Sequence, residues 1–78
     1  MRVLLFAGLA EACGQPALDL PDTQAPATVG DLEARLRAGF PALAARPFRM
    51  AVNRRYATGA ERVVPGDEVA LIPPVSGG

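Results

Sequence analysis

Histidine, lysine and tryptophan are absent from this chain, and cysteine occurs once, at Cys13. A chain without histidine lacks the commonest general base, and with one thiol it also lacks the ligands that most transition-metal sites use. A single cysteine excludes an intrachain disulfide. The composition therefore predicts no metal site and no conventional set of catalytic side chains in this chain.

Aromatic residues are also scarce, at 5% of the 78 residues, although 50% of the residues are hydrophobic. This composition predicts one small domain with a mostly aliphatic core. Eight basic and eight acidic residues give a formal net charge of zero. Because the basic residues are all arginine and are spread along the chain, the sequence argues against nucleic-acid binding.

The apolar run at residues 3–10 is too short to cross a bilayer, since a spanning helix needs roughly 20 residues. It also lacks the basic start and the longer apolar segment of a signal peptide. We therefore expect a cytoplasmic protein without a membrane segment.

The first third of the chain predicts two strands joined by a helical turn. Residues 2–7 contain a continuous apolar run, which indicates a strand buried on both faces. Residues 9–13 fit a short helical turn that ends at Gly14. The side chains of residues 17–20 alternate in polarity, which is typical of a strand that returns beside the first one.

The clearest helix begins at Thr28, whose hydroxyl can accept a backbone N–H while Asp31 reaches back. Gly39 and Pro41 end it. Its apolar residues recur every three or four positions and form one stripe: Val29, Leu32, Leu36 and Phe40.

Strands are predicted again at residues 49–53, around residues 56–57 and at residues 68–72, with a turn at residues 64–67 in which Gly66 supplies a positive φ. Strands on both sides of one long helix predict an α+β domain, in which the helix packs across a mixed sheet. If the first and last strands lie side by side in parallel, the fold is a β-grasp. We assign residues 1–74 to the domain and residues 75–78 to a flexible tail.

The last six residues carry the functional signal of the sequence. Pro73 and Pro74 predict a stiff, extended exit from the last strand. The chain then ends in two glycines, which leave the terminal carboxylate unhindered by side chains. The candidate reactive group is therefore the carboxylate of Gly78, presented by the residues before it: Pro74, Val75, Ser76 and Gly77.

Residues 66–78, with their Pro-Pro-Val-Ser-Gly-Gly ending, resemble the end of the small, sulfur-carrying subunit of molybdopterin synthase. Residues 3–7, 28–32 and 51–53 resemble the first strand, the helix start and a strand-to-turn segment of the same family. Leu71-Ile72 departs from the family, which often has an aromatic residue before the prolines. The resemblance implies a ubiquitin-like β-grasp fold.

The resemblance also implies a reaction cycle. A ubiquitin-activating-like adenylyltransferase uses ATP to join Gly78 to AMP, and sulfur from a sulfurtransferase displaces the AMP and leaves a C-terminal thiocarboxylate. The thiocarboxylate donates its sulfur to a cyclic pyranopterin monophosphate in the large synthase subunit, in a heterotetramer of two small and two large subunits. The small subunit binds no permanent cofactor.

A tail that enters a partner requires the domain to dock at the entrance, through roughly 800 Å² of each surface. The sequence offers four candidates for that interface: Phe6, Leu71, Arg54 and Arg55. Phe6 and Leu71 are also typical of a core, and the sequence favours the core for Phe6, since strand residues of this type are usually buried. Paired arginines at a turn are typically solvated.

Other functions share these features. A sulfur carrier for thiamine, cysteine or tRNA thiolation has the same fold and ending, and so does a protein modifier that is joined through Gly78 to lysines. A small interaction domain with an inert tail is the structural alternative. The lack of lysine fits a compositional bias, and it also fits a chain whose activated carboxylate is kept away from its own amines.

Overall fold

A computed structural model describes residues 1–21 and 27–74 of the protein. The predicted tail at residues 75–78 therefore lies outside the described residues. Within the described part, the elements follow one another as β1 (Arg2–Leu5), α1 (Gly8–Cys13), β2 (Ala17–Asp19), α2 (Val29–Gly39), α3 (Pro41–Ala44), β3 (Arg49–Val52), β4 (Arg55–Tyr56) and β5 (Val69–Ile72).

The described strands form one mixed sheet in the order β2-β1-β5-β3-β4. The first and last strands, β1 and β5, are parallel neighbours, with Val3 opposite Val69 and Leu5 opposite Leu71. The other neighbouring strands are antiparallel. This arrangement confirms the predicted α+β class and the ubiquitin-like β-grasp.

One aliphatic core lies between the helices and one face of the sheet. The predicted stripe of α2 supplies Val29, Leu32 and Leu36, all buried. The sheet, α1 and α3 contribute further buried side chains to the same cluster: Val3, Leu5, Leu9, Leu18, Leu43, Met50, Val52, Val69 and Leu71.

The start of α2 is fixed by local hydrogen bonds. The hydroxyl of Thr28 accepts the backbone N–H of Asp31 at 3.1 Å, which confirms the predicted cap. The N–H of Gly30 donates to the carbonyl oxygen of Gly59 at 2.9 Å, so that the helix start is tied to a distant loop. A side chain at position 30 would place its Cβ 3.1 Å from that same oxygen, which accounts for the glycine.

The face of the sheet away from the helices is not covered by the described residues, which corrects the prediction for the first strand. Val3 and Leu5 are buried, whereas Arg2 and Phe6 are exposed and Leu4 is half-buried. The prediction that both faces of this strand are buried is wrong because successive side chains point to opposite faces and the helices pack on only one of them.

The predicted turn at residues 64–67 is confirmed and connects three parts of the chain. Gly66 has a φ of 99°, and the N–H of Asp67 donates to the carbonyl oxygen of Val64 at 3.1 Å. The carboxylate of Asp67 accepts the N–H of Val64 at 2.9 Å and the side-chain amide of Asn53 at 3.1 Å. The hydrogen bond from Val64, and then that from Asn53, lowers the pKa of the Asp67 carboxyl.

Replacing the helix cap is expected to destabilise the fold. Thr28→Ala removes the acceptor of the Asp31 N–H and should lower the free energy of unfolding by about 1 kcal/mol, measured by chemical denaturation. Thr28→Ser should restore most of that loss. Thr58→Ala, which removes a hydroxyl that caps no helix, is the matched control, and an equal loss in the control would contradict the assignment of the cap.

The stability contributed by Asp67 is expected to depend on pH. Because its folded-state pKa is lowered, the contribution is present above the unfolded-state pKa and is lost as the pH falls through the folded-state value. Asp67→Asn should therefore flatten the acidic limb of the melting temperature against pH, followed by circular dichroism. Asp19→Asn removes a carboxylate that takes no part in the turn and should leave that limb unchanged.

Candidate functional site

The tail leaves the domain from β5 at the centre of the sheet. Pro73, which follows Ile72, is half-buried, and Pro74 is exposed. Val75, Ser76, Gly77 and Gly78 lie outside the described residues, and their roles remain predictions. Four extended residues reach at most about 13 Å, so the surface around Ile72 and Pro73 must lie close to any partner that acts on the terminal carboxylate.

A groove of about 450 Å³ runs along β5 on the side of the sheet away from the helices. We call this surface the open sheet face. Its lining residues come from every strand except β2 and from the turns that border them: Leu4, Phe6, Ala51, Arg54, Tyr56, Glu68, Ala70 and Ile72.

The strand register explains why this face is concave. Ala70 of β5 lies between Leu4 of β1 and Ala51 of β3, and Tyr56 of β4 lies beyond Ala51. Two methyl side chains therefore form the floor, while Leu4 and Tyr56 form the walls. The result is an apolar groove between larger side chains.

Phe6 lies at the surface, where the residue is 48% exposed, and lines the groove. The residue after it, Ala7, has a φ of 49° and a ψ of −127°, a conformation that L-residues rarely adopt. This sharp bend turns the chain from β1 into α1 directly after Phe6. The expectation that Phe6 belongs to the core, which the sequence favoured, is wrong because Phe6 is exposed at this bend.

Leu71 does not belong to the open sheet face. Its side chain is fully buried in the core, as is that of Val69 two residues earlier. Because alternate residues of a strand share a face, Ala70 and Ile72 face the groove instead. The prediction that Leu71 contributes to an interface is therefore wrong, because a side chain without exposed area cannot contact a partner.

The side chains of the two candidate arginines lie on opposite faces of the sheet. Asn53 and Arg54 form the hairpin turn with φ values of 51° and 68°, and the Arg54 Nε lies 3.3 Å from the Glu68 Oε2 at one end of the groove. Arg55 is paired with the core-facing Val52 in the β3–β4 ladder, which directs its side chain away from the groove. Only Arg54 of this pair borders the open sheet face.

Sequence reasoning missed most of the residues that line this face, including Tyr56, and it also missed Arg49, which contacts Tyr56. Tyr56 is 53% exposed, and the guanidinium carbon of Arg49 lies 3.8 Å from the centroid of its ring. A cation over an aromatic face is attracted by the ring quadrupole. The sequence could have shown that Arg49 and Ala51, two residues apart in a strand, share one face of the sheet. The register of the β3–β4 hairpin, which brings Tyr56 beside them, could not be read from the sequence.

The chemistry of the open sheet face is that of recognition. Its floor is apolar and its border carries guanidinium groups and one carboxylate, without a pair of groups set for proton transfer. In the described part of the chain, no helix is long and apolar enough to span a bilayer. Cys13, the one thiol, is half-buried and contacts the core rather than the groove.

Comparison with known proteins finds relatives over the full length of the chain. Small archaeal modifier protein 1 of Haloferax volcanii is 39% identical, with all of both chains covered. The molybdopterin synthase sulfur carrier subunit of Mycobacterium tuberculosis is 35% identical and matches all of this chain and 96% of its own. A crystal structure of SAMP1 from Haloferax volcanii superposes with a TM-score of 0.76 at 35% identity, covering 99% of this chain and 97% of the other.

The family model described as the ThiS family matches residues 3–78, from the first strand through the terminal glycine. Together with the parallel β1–β5 pair and the two relatives that match all of this chain, this match shows that the chain belongs to the ThiS family.

Proposed function

We propose that the protein is the sulfur-carrying small subunit of a molybdopterin synthase and that its reactive group is the carboxylate of Gly78. The observation that carries this proposal is the ending after β5, Pro73-Pro74 and then Val75-Ser76-Gly77-Gly78, inside a family match that extends to residue 78. The Mycobacterium tuberculosis relative, named for the same role, supports the molybdenum pathway.

The chemistry requires partners, because a carboxylate is a poor electrophile. In the proposed cycle, an oxygen of the Gly78 carboxylate attacks the α-phosphorus of ATP in an adenylating enzyme, and pyrophosphate leaves. The terminal sulfur of a persulfide on a sulfurtransferase then attacks the acyl carbon and expels AMP, and a thiol cleaves the S–S bond of the acyl disulfide, which releases the thiocarboxylate and leaves a disulfide. The resulting thiocarboxylate transfers its sulfur to a cyclic pyranopterin monophosphate in the large subunit, and hydrolysis of the acyl group regenerates the carboxylate.

The chain itself contributes presentation and docking. Pro73 and Pro74 cannot donate to a strand ladder, so they end β5 and separate the tail from the sheet. Glycines at both terminal positions present the smallest possible cross-section to a partner's active site. The open sheet face borders the exit of the tail and gives the partner a surface that can place the carboxylate, which is the positioning contribution to catalysis.

A second candidate function is that of a ubiquitin-like protein modifier. It is favoured by the 39% identity, over all of both chains, to small archaeal modifier protein 1. The activated Gly78 would in that case acylate the amine of a target lysine. Sulfur carriers for thiamine, cysteine or tRNA thiolation differ from the first proposal only in the partner that accepts the sulfur.

Thiocarboxylate formation at Gly78 is the expected outcome when the protein is incubated with ATP, a sulfur source and its host's adenylating enzyme. Intact-mass spectrometry should show the exchange of one oxygen for sulfur, with fragmentation placing it on the last residue. Deletion of Gly78 should abolish the exchange, whereas Ser76→Ala, which keeps both glycines, should permit it. An unchanged mass with an adenylating enzyme proven active on another carrier would contradict the proposal.

The thiocarboxylated protein also separates the pathways. When it is mixed with the host's large synthase subunit and a cyclic pyranopterin monophosphate, two thiocarboxylated chains should each lose one sulfur for every dithiolene that forms on the pterin. Accumulation of isopeptide-linked Gly78 on lysines of host proteins, without sulfur loss to the pterin, would favour the modifier function instead.

A further inference from the structure

Two arginines lie at the open sheet face, Arg54 in the lining of the groove and Arg49 against the ring of Tyr56. The Arg54 Nε lies 3.3 Å from the Glu68 Oε2. Arg49 has no carboxylate within ion-pair distance among the described residues, and it contacts the Tyr56 ring instead. In the part of the chain that the structure describes, one of these two cations therefore has a counter-charge and the other has none.

Arg49 lies at the end of the groove from which the tail departs. In the β3–β5 ladder it is the direct partner of Ile72, the last residue before the prolines. On the other side of β5, the ladder with β1 ends at Leu5 opposite Leu71, and the next residue, Phe6, lines the same groove as Ile72. The tail exit is thus flanked by an exposed aromatic ring on one side and, on the other, by a guanidinium that has no carboxylate partner among residues 1–21 and 27–74.

Tyr56 holds this guanidinium in a defined place. The guanidinium carbon lies 3.8 Å from the centroid of the Tyr56 ring, where the ring quadrupole attracts the cation. The N–H groups of a guanidinium match the geometry of a carboxylate, which they can bind through two parallel hydrogen bonds. The loss of side-chain entropy on binding is reduced because the stacked arginine is already ordered.

The surface beside Arg49 determines which kind of anion fits. The floor and walls of the groove are apolar, and they extend along β5 for about four residues, or roughly 13 Å. A free phosphate or a small metabolite would meet the cation and leave this area in contact with water. A protein surface that carries an apolar ridge and ends in a carboxylate would cover both.

We propose, on the basis of the function proposed above, that the open sheet face binds a protein partner that inserts apolar side chains into the groove and directs an Asp or Glu carboxylate at Arg49. The Arg49–Tyr56 pair is then an anchor at the tail exit. It orients the partner so that the entrance of its active site faces Pro73 and the tail that follows. Arg54 contributes less, because Glu68 already neutralises it.

The test measures binding of the full chain to the host's large synthase subunit and, separately, to its adenylating enzyme, by isothermal titration calorimetry. Arg49→Glu should weaken binding to at least one of them by about tenfold or more, which is the scale of a charged hydrogen bond lost from an interface. Arg62→Glu makes the same charge change at an exposed arginine whose backbone pairs with that of Thr28, at the start of α2. This control should alter the affinity by less than about twofold.

The role of the ring is tested in the same assay. Tyr56→Phe keeps an aromatic face and should bind as the wild type does, whereas Tyr56→Leu should weaken binding several-fold and reduce its dependence on salt. Circular dichroism melts establish that each variant is folded. Replacing acidic residues of the partner one at a time with lysine should yield one variant that binds Arg49→Glu better than it binds the wild type.

Wild-type affinity of Arg49→Glu for both partners, with thiocarboxylation of Gly78 intact, would overturn this inference and leave the proposed function standing. Failure of the wild type to bind either partner or to accept sulfur would overturn both. Sedimentation that shows the wild type as a dimer and Arg49→Glu as a monomer would assign the open sheet face to a second copy of this chain and overturn the acidic-partner proposal.

Discussion

The parallel pairing of β1 with β5 is the constraint on which the rest of the structure depends. It joins residues near the two ends of the sequence, Val3 with Val69 and Leu5 with Leu71, at the centre of the sheet. Parallel neighbours require a long crossover, and here α2 lies within that crossover and packs on one face. The same pairing fixes where the chain leaves the domain, beside Phe6 and Arg49.

In these central strands, successive side chains point alternately into the core, where they stabilise the fold, and into the groove, where they are available to bind a partner. Val69 and Leu71 fill the core, while Ala70 and Ile72 face the groove. A substitution in β5 therefore affects either folding or docking according to its position, although both kinds of position are apolar. Exposed side chains such as Phe6 and Tyr56 are retained on a small domain at some cost in solubility, which fits a surface that is covered in a complex.

Local features of the fold were predictable from the sequence because they depend on a few neighbouring residues. The cap at Thr28 and the positive φ of Gly66 are of this kind, and both are confirmed. The inward or outward direction of Leu71 and Phe6 was not predictable, since a continuous apolar run carries no alternation to read. The contact of Arg49 with Tyr56 depends on the register of a hairpin whose turn is Asn53-Arg54, without the glycine that usually marks such turns.

The central proposal is that docking through the open sheet face positions the carboxylate of Gly78 for activation by the partner. The most direct measurement compares the whole chain with a free peptide of residues 73–78, which carries the same terminal carboxylate, as substrates of the host's adenylating enzyme. The account predicts that the whole chain is thiocarboxylated with a kcat/KM at least about a hundredfold higher, because the peptide lacks the docking energy that positions the carboxylate. Equal rates for peptide and chain would contradict it.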